Sequence, residues 1–218
     1  MAALDGPRLS PRSGGPARKL VVVLHGYGAD GSDLMPLADA IGDMLPDVAF
    51  ALPHGPAPCG GAPFGREWFP ISFTDPSEFD RGADATRDLL ERFIAGELAW
   101  HGLTDRDLAL IGFSQGAMMA LHTGLRRPAA PALILSYSGL LPAPARVKAE
   151  AVRPPPHVVL VHGEFDDIVP PQAMLDAYNT LTEAGVPVDM HGRPGLGHGI
   201  DAEGVAIGIA SLADAFSR

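Results

Sequence analysis

One stretch constrains the fold of this chain more than any other. Leu108-Ala109-Leu110-Ile111 runs into Gly112-Phe113-Ser114-Gln115-Gly116, and Ala117, Met118, Met119, Ala120 and Leu121 follow. An apolar run, a turn with two glycines and a small-residue helical pattern read as strand, sharp turn and helix. A serine at the apex of such a turn has a strained backbone, and strand and helix pack closely around it. Glycines therefore belong two residues to either side. The product is a hydroxyl held clear of the chain, beside a helix N-terminus whose free N–H groups favour developing negative charge. Ser114 is the candidate nucleophile. The bland alternative is a strand-to-helix turn that happens to contain serine.

The rest of the chain supplies partners for that strand. Lys19 to Leu24 is a near-continuous β-branched and leucine run, the mark of a strand covered on both faces. It ends in His25-Gly26-Tyr27-Gly28-Ala29-Asp30-Gly31, and a helix capped by Ser32 or Asp33 is expected next, with Pro36 in its first turn. Further strands are expected at 48–53, 132–137, 158–161 and 186–190. Helical patterns fall at 81–100, 171–184 and near the C-terminus, where Val205, Ile209, Leu212 and Phe216 share a face. Strands alternating with helices predict a single-domain α/β fold, a mostly parallel central sheet with helices on both faces. Residues 1–18, rich in Pro, Gly and Arg, predict a mobile N-terminal arm, and 19–218 the folded domain.

Segment 54–80 is crowded with Pro, Gly and aromatics. Structureless loops of that length inside a domain are usually functional or disordered, and aromatics argue against disorder. It reads as a wall or lid over a pocket, or else as a packed excursion that extends the core.

Composition narrows the partners. A formal net charge of −10 argues against nucleic acid and anionic membrane surfaces as obligatory partners. No run is long enough to cross a bilayer, and the first residues lack the apolar segment of a signal peptide, so a cytoplasmic protein is expected. The single cysteine, Cys59, excludes an intramolecular disulfide and has no activating neighbour in sequence. The sequence leaves a homodimer open, since exposed apolar loop residues serve a substrate entrance or a dimer contact equally well.

Catalytic groups in such a sheet collect at the carboxyl ends of its strands. Three loops qualify, carrying Ser114, the pair Asp166 and Asp167, and His198, in the chain order Ser, Asp, His. A serine hydroxyl needs a base to take its proton, and an imidazole can do so and later protonate a leaving group. A carboxylate on the other ring nitrogen holds the tautomer. Among eight histidines His198 stands out, because Gly195, Gly197 and Gly199 surround it in a turn suited to aiming a ring. His25 and His162 each precede glycine at a strand end, where a supporting hydrogen bond is expected. No metal or cofactor is called for.

Four blocks together resemble one family: residues 24–31 (Leu-His-Gly-Tyr-Gly-Ala-Asp-Gly), 112–117 (Gly-Phe-Ser-Gln-Gly-Ala), 162–170 (His-Gly-Glu-Phe-Asp-Asp-Ile-Val-Pro) and 195–200 (Gly-Leu-Gly-His-Gly-Ile). They look like the carboxylesterase/phospholipase family of α/β hydrolases, which includes acyl-protein thioesterases and bacterial carboxylesterases. The resemblance implies an α/β hydrolase fold with a short loop lid and selects Asp166 over Asp167 as the acid. It places the oxyanion hole at the backbone N–H groups of Tyr27 and Gln115. Trp68 and Phe69 match an aromatic pair in related sequences; with Ile71, Phe73, Leu140 and Ile168 they are the expected acyl pocket. The implied activity is hydrolysis of a small carboxylic ester, of short to medium acyl chain, through an acyl-enzyme. The alternatives are a thioesterase or lysophospholipase with longer acyl substrates and, in another class, a binding protein on a hydrolase fold without turnover.

Overall fold

The computed structural model describes residues 3–62, 64–72 and 74–218. Its strands are β1 (Arg8–Leu9), β2 (Lys19–Leu24), β3 (Val48–Ala51), β4 (Ala57–Pro58), β5 (Arg66–Glu67), β6 (Leu108–Phe113), β7 (Leu133–Tyr137), β8 (His157–Gly163) and β9 (Val188–Arg193). Helices α1 (Met35–Met44), α2 (Glu78–His101), α3 (Gln115–Leu125), α4 (Val147–Glu150), α5 (Gln172–Glu183) and α6 (Ala202–Ser217) connect or follow them. Seven strands form one sheet in the order β1-β3-β2-β6-β7-β8-β9, and β4 pairs with β5 in a small separate ribbon. Only β1 runs antiparallel in the large sheet. The expected α/β hydrolase architecture is present.

The apolar runs of β2 and β6 follow from burial on both faces. Leu20, Val22 and Leu24 of β2 join a cluster with Leu90 and Ile94 of α2, Met119 of α3 and Leu181 of α5. The intervening Val21 and Val23 face a second cluster with Ile41 of α1 and Leu212 of α6. Each such side chain is worth roughly 1.5–3 kcal/mol relative to exposure, so neither face tolerates a polar residue cheaply.

The topology sets the site. From β2 the chain moves toward β1's edge to reach β3, whereas from β6 it moves the other way to β7. The strand order therefore reverses between β2 and β6, whose register pairs Leu24 with Gly112. In open α/β sheets ligands bind in the crevice beyond the carboxyl ends at such a reversal. The Tyr27 loop and the Ser114 turn are the two lips of that crevice.

Two local expectations differ. A 3-10 turn over Gly31–Leu34 precedes α1, and its cap is Asp30, whose carboxylate accepts from Ser32 N at 2.7 Å while Asp33 Oδ2 accepts from Asp30 N at 2.7 Å. Two acids in reciprocal hydrogen bonds satisfy more free N–H groups than one Ser32 cap could. Residues 3–18, expected as a loose arm, lie along the domain. Arg8 and Leu9 pair with Ala51 and Phe50, and Arg8 Nη2 meets Glu97 of α2 at 2.7 Å. Leu4 is buried. Backbone pairing and guanidinium contacts hold this segment, neither of which composition reveals. Among the described residues no helix is long and apolar enough to cross a membrane.

Candidate active site

Ser114 stands between β6 and α3 with φ 54° and ψ −117°, a conformation a residue with a Cβ adopts only under constraint. Its N–H donates to Tyr137 O at 2.9 Å, and its carbonyl accepts from Ala117 N at 3.0 Å and Met118 N at 3.2 Å. The two flanking glycines make the turn possible. A Cβ on Gly112 would lie 2.2 Å from Gly116 O, and one on Gly116 only 2.0 Å from Leu24 O. Any side chain there would push α3 off β2.

Asp166 is held in the loop after β8. Its Oδ1 accepts from Ile168 N at 3.0 Å and Val169 N at 2.9 Å, and its Oδ2 accepts from His198 Nδ1 at 2.7 Å. Burial pushes its carboxyl up, but the bonds from His198, Val169 and Ile168 outweigh that and hold it below the usual carboxylate range. Asp167 is exposed. Phe165 N donates to Leu196 O at 2.9 Å, so the acid's loop also carries the turn that presents His198. The His198 ring packs on Phe113, the residue before Ser114, at 4.9 Å between centroids. Nδ1 is committed to Asp166, and the ring lies against the end of the strand that leads into Ser114.

The two expected anion-binding peptides flank Ser114. Gln115 is the first residue of α3. On the other lip, Gly26 crosses directly over the serine, since a Cβ there would come within 3.4 Å of Ser114 Cβ. Tyr27 follows it. Thus the four loops that carry Tyr27, Ser114 with Gln115, Asp166 and His198 are linked to one another at the carboxyl ends of the central strands. Among the described residues no group of three or more His, Cys, Asp or Glu is placed to hold a metal ion.

The expected acyl pocket divides. Trp68 and Phe69 are 1% and 3% exposed, packed in the core beneath α2 and α3, so neither ring presents a face to a substrate. Ile71 and Leu140 are half-buried against that core, and Ile168 is 58% exposed beside Asp166. Phe73 lies outside the described residues. Leu140 also borders a cleft of about 610 Å³ with Phe79, Leu141 and Ala173, which includes none of Ser114, His198 or Trp68.

The supporting bond expected of His162 is present: its Nε2 lies 2.8 Å from Val169 O in the acid's loop and 3.2 Å from Asp166 Oδ2. Sequence reasoning missed one contribution. The Gln115 side chain is fully buried, its Oε1 accepting from Trp68 N at 2.9 Å and its Nε2 donating to Phe69 O at 2.7 Å. A carboxamide at a helix start wedged between strand and glycine must find partners. That was the available signal.

This arrangement has relatives. The sequence matches the family described as Phospholipase/Carboxylesterase over residues 11–214. It is similar to esterase PE8, a solved structure with 42% identity and a TM-score of 0.93, covering 98% of this chain and 99% of that one. It is also similar to Esterase YpfH of Escherichia coli (strain K12), 26% identical over 90% of this chain and 83% of that protein. The structure of SOBER1 from Arabidopsis thaliana shares the fold with a TM-score of 0.80 at 22% identity, covering 91% of this chain and 99% of the other. Matched over nearly its whole length, the chain belongs to the phospholipase/carboxylesterase family of α/β hydrolases.

Proposed function

We propose that this protein hydrolyses carboxylic esters of short to medium acyl chain through an acyl-enzyme on Ser114. The observation that carries the reading is the 2.7 Å bond from His198 Nδ1 to Asp166, made by an imidazole resting on the residue next to a strained serine. With Nδ1 so engaged, Nε2 is the free base. It takes the Ser114 proton as Oγ attacks the ester carbonyl, and Asp166 stabilises the imidazolium. The oxyanion of the tetrahedral intermediate lies between the N–H groups of Tyr27 and Gln115. Collapse breaks the ester bond, and His198 protonates the departing alkoxide. Water, deprotonated by the same nitrogen, then releases the acid and restores Ser114.

Ser114→Ala tests this with p-nitrophenyl butyrate. The expected loss is at least about 10³-fold in kcat/KM, together with loss of labelling by a fluorophosphonate. Wild-type turnover by the variant, or labelling of another residue, would overturn the assignment. Exposed Phe165 and Ile168 beside Asp166 favour longer acyl chains or thioesters as a second reading. Comparing kcat/KM across chain length, ester against thioester, decides between the two.

A further inference from the structure

We propose that Trp68 is a positioning residue that fastens the two halves of the oxyanion hole to one another. The inference rests on the esterase reading above and gives a job to a side chain that the acyl-pocket expectation misplaces. The two anion-binding N–H groups belong to segments far apart in sequence, and each peptide must be aimed to within tenths of an ångström to act together. Trp68 touches both segments. Its backbone N–H donates to Gln115 Oε1 at 2.9 Å, and its indole Nε1–H donates to His25 O at 2.9 Å. Its own carbonyl accepts from Thr86 Oγ1 of α2 at 2.8 Å, and Phe69 O accepts from Gln115 Nε2 at 2.7 Å. One residue is thus bolted to α3, to α2 and to the loop after β2.

Peptide geometry converts those contacts into aim. A trans peptide is planar, so fixing its carbonyl fixes the N–H on its opposite side. The N–H of Tyr27 shares a peptide with the carbonyl of Gly26, and Gly26 O lies 2.7 Å from His25 Nδ1. His25 Nε2 accepts from Gly55 N at 2.7 Å, so the proton is on Nδ1, which donates to Gly26 O. The preceding peptide is held at its carbonyl by the Trp68 indole, and the two rings pack at 5.3 Å between centroids. Trp68 and His25 therefore clamp two consecutive peptides, the second of which presents Tyr27 N–H to the crevice. The buried ring of Trp68 supplies rigidity and its two N–H groups supply register.

Trp68→Phe removes the indole donor and keeps an aromatic ring against His25. Removing a whole oxyanion donor costs about 10²–10³-fold, so misaiming one costs roughly tenfold or more in kcat. The expected result for p-nitrophenyl acetate is that drop with KM within about twofold. Amide hydrogen exchange at residues 26–29 should quicken as well. A pocket wall would behave differently, raising KM in proportion to acyl length and leaving kcat alone; that pattern overturns the proposal. So does a folded variant with kcat within twofold of wild type and unchanged exchange. Should Trp68→Phe not fold, Gln115→Met cuts the other half of the fastening and keeps its backbone N–H, with the same expectations. Ser114→Ala run alongside keeps the two readings apart. If turnover proves independent of Ser114, the esterase reading fails, and exchange at 26–29 still decides whether Trp68 holds the loop.

Discussion

Acid should weaken this fold through one residue that the chemistry does not use. His122 lies on α3 two turns beyond Ser114, fully buried where α2 packs on it. Its Nε2 is 3.0 Å from Asp84 Oδ1, off the direction of a hydrogen bond, and neither ring nitrogen has another partner among the described residues. Burial and the charge of Arg126 push the imidazole down to about 4, with Asp84 opposing and Arg146 adding to the push. The unfolded chain takes up the same proton near the ordinary value of 6.5. Between these values the unfolded state binds a proton that the folded state refuses. The stability gained by keeping His122 neutral is therefore complete above about pH 6.5, falls as the pH drops, and levels off below about 4. The linkage is worth about 2 kcal/mol between pH 7 and pH 5, and about 3 kcal/mol over the whole window. Urea unfolding at pH 7, 6 and 5, followed by tryptophan fluorescence, measures it against His122→Leu, which has a similar volume and no proton to bind. Buried His25, held low by desolvation, is present in both proteins and cancels. Wild type should lose about 2 kcal/mol more than the variant. Parallel curves would refute the reasoning, because they would mean the folded protein accommodates the His122 proton as easily as the unfolded chain does.

Two further outcomes follow from close contacts. Gly116→Ala sets a methyl 2.0 Å from Leu24 O, an overlap with backbone that only separation of α3 from β2 relieves; a loss of more than about 2 kcal/mol is expected, read as a fall in Tm, and a Tm within about 2 °C of wild type would show that the helix shifts freely. His162→Phe removes the imidazole that holds Val169 O in the acid's loop and lies 3.2 Å from Asp166 Oδ2, and leaves the bond to His198; kcat/KM should fall about tenfold with His162→Gln recovering part of it, and equal activity in all three proteins would show that the two backbone N–H groups suffice to aim the acid.

Much of the architecture was legible because local chemistry and global position agree. The run from Leu20 to Leu24 is apolar at every residue because both faces are covered, and the glycines of the Ser114 turn are demanded by contacts inside that turn. Strand β9 was harder. Read as 186–190, it spans Val188–Arg193 and carries Asp189, His191 and Gly192, because it lies at the sheet edge and is a strand through pairing with β8. The N-terminal segment misled for a related reason, as its order comes from a short ladder to β3 and from Arg8, not from apolar periodicity. In the site the triad candidates were visible as residue types at strand ends. The Trp68–Gln115 contact was not, because it joins residues 47 apart in sequence, and aromatic character alone does not tell a substrate-facing ring from a core ring.

The strain at Ser114 and the proposed anion site beside it have one cause. A residue at φ 54° costs of order 1–3 kcal/mol and persists only where its surroundings over-determine it. Here the surroundings are Tyr137 O on the serine N–H, the first turn of α3 on its carbonyl, and the bare Gly116 resting on Leu24 O. That last contact also brings the start of α3 against the end of β2, so the same close approach that bends the serine carries the Gln115 N–H to the lip that holds Tyr27. Substitutions that let the helix withdraw would relax the proposed nucleophile and widen the proposed hole in one motion. Stability gained at this junction should therefore be lost from kcat, whereas stability gained at Arg8, His122 or the edge strand should leave the chemistry alone.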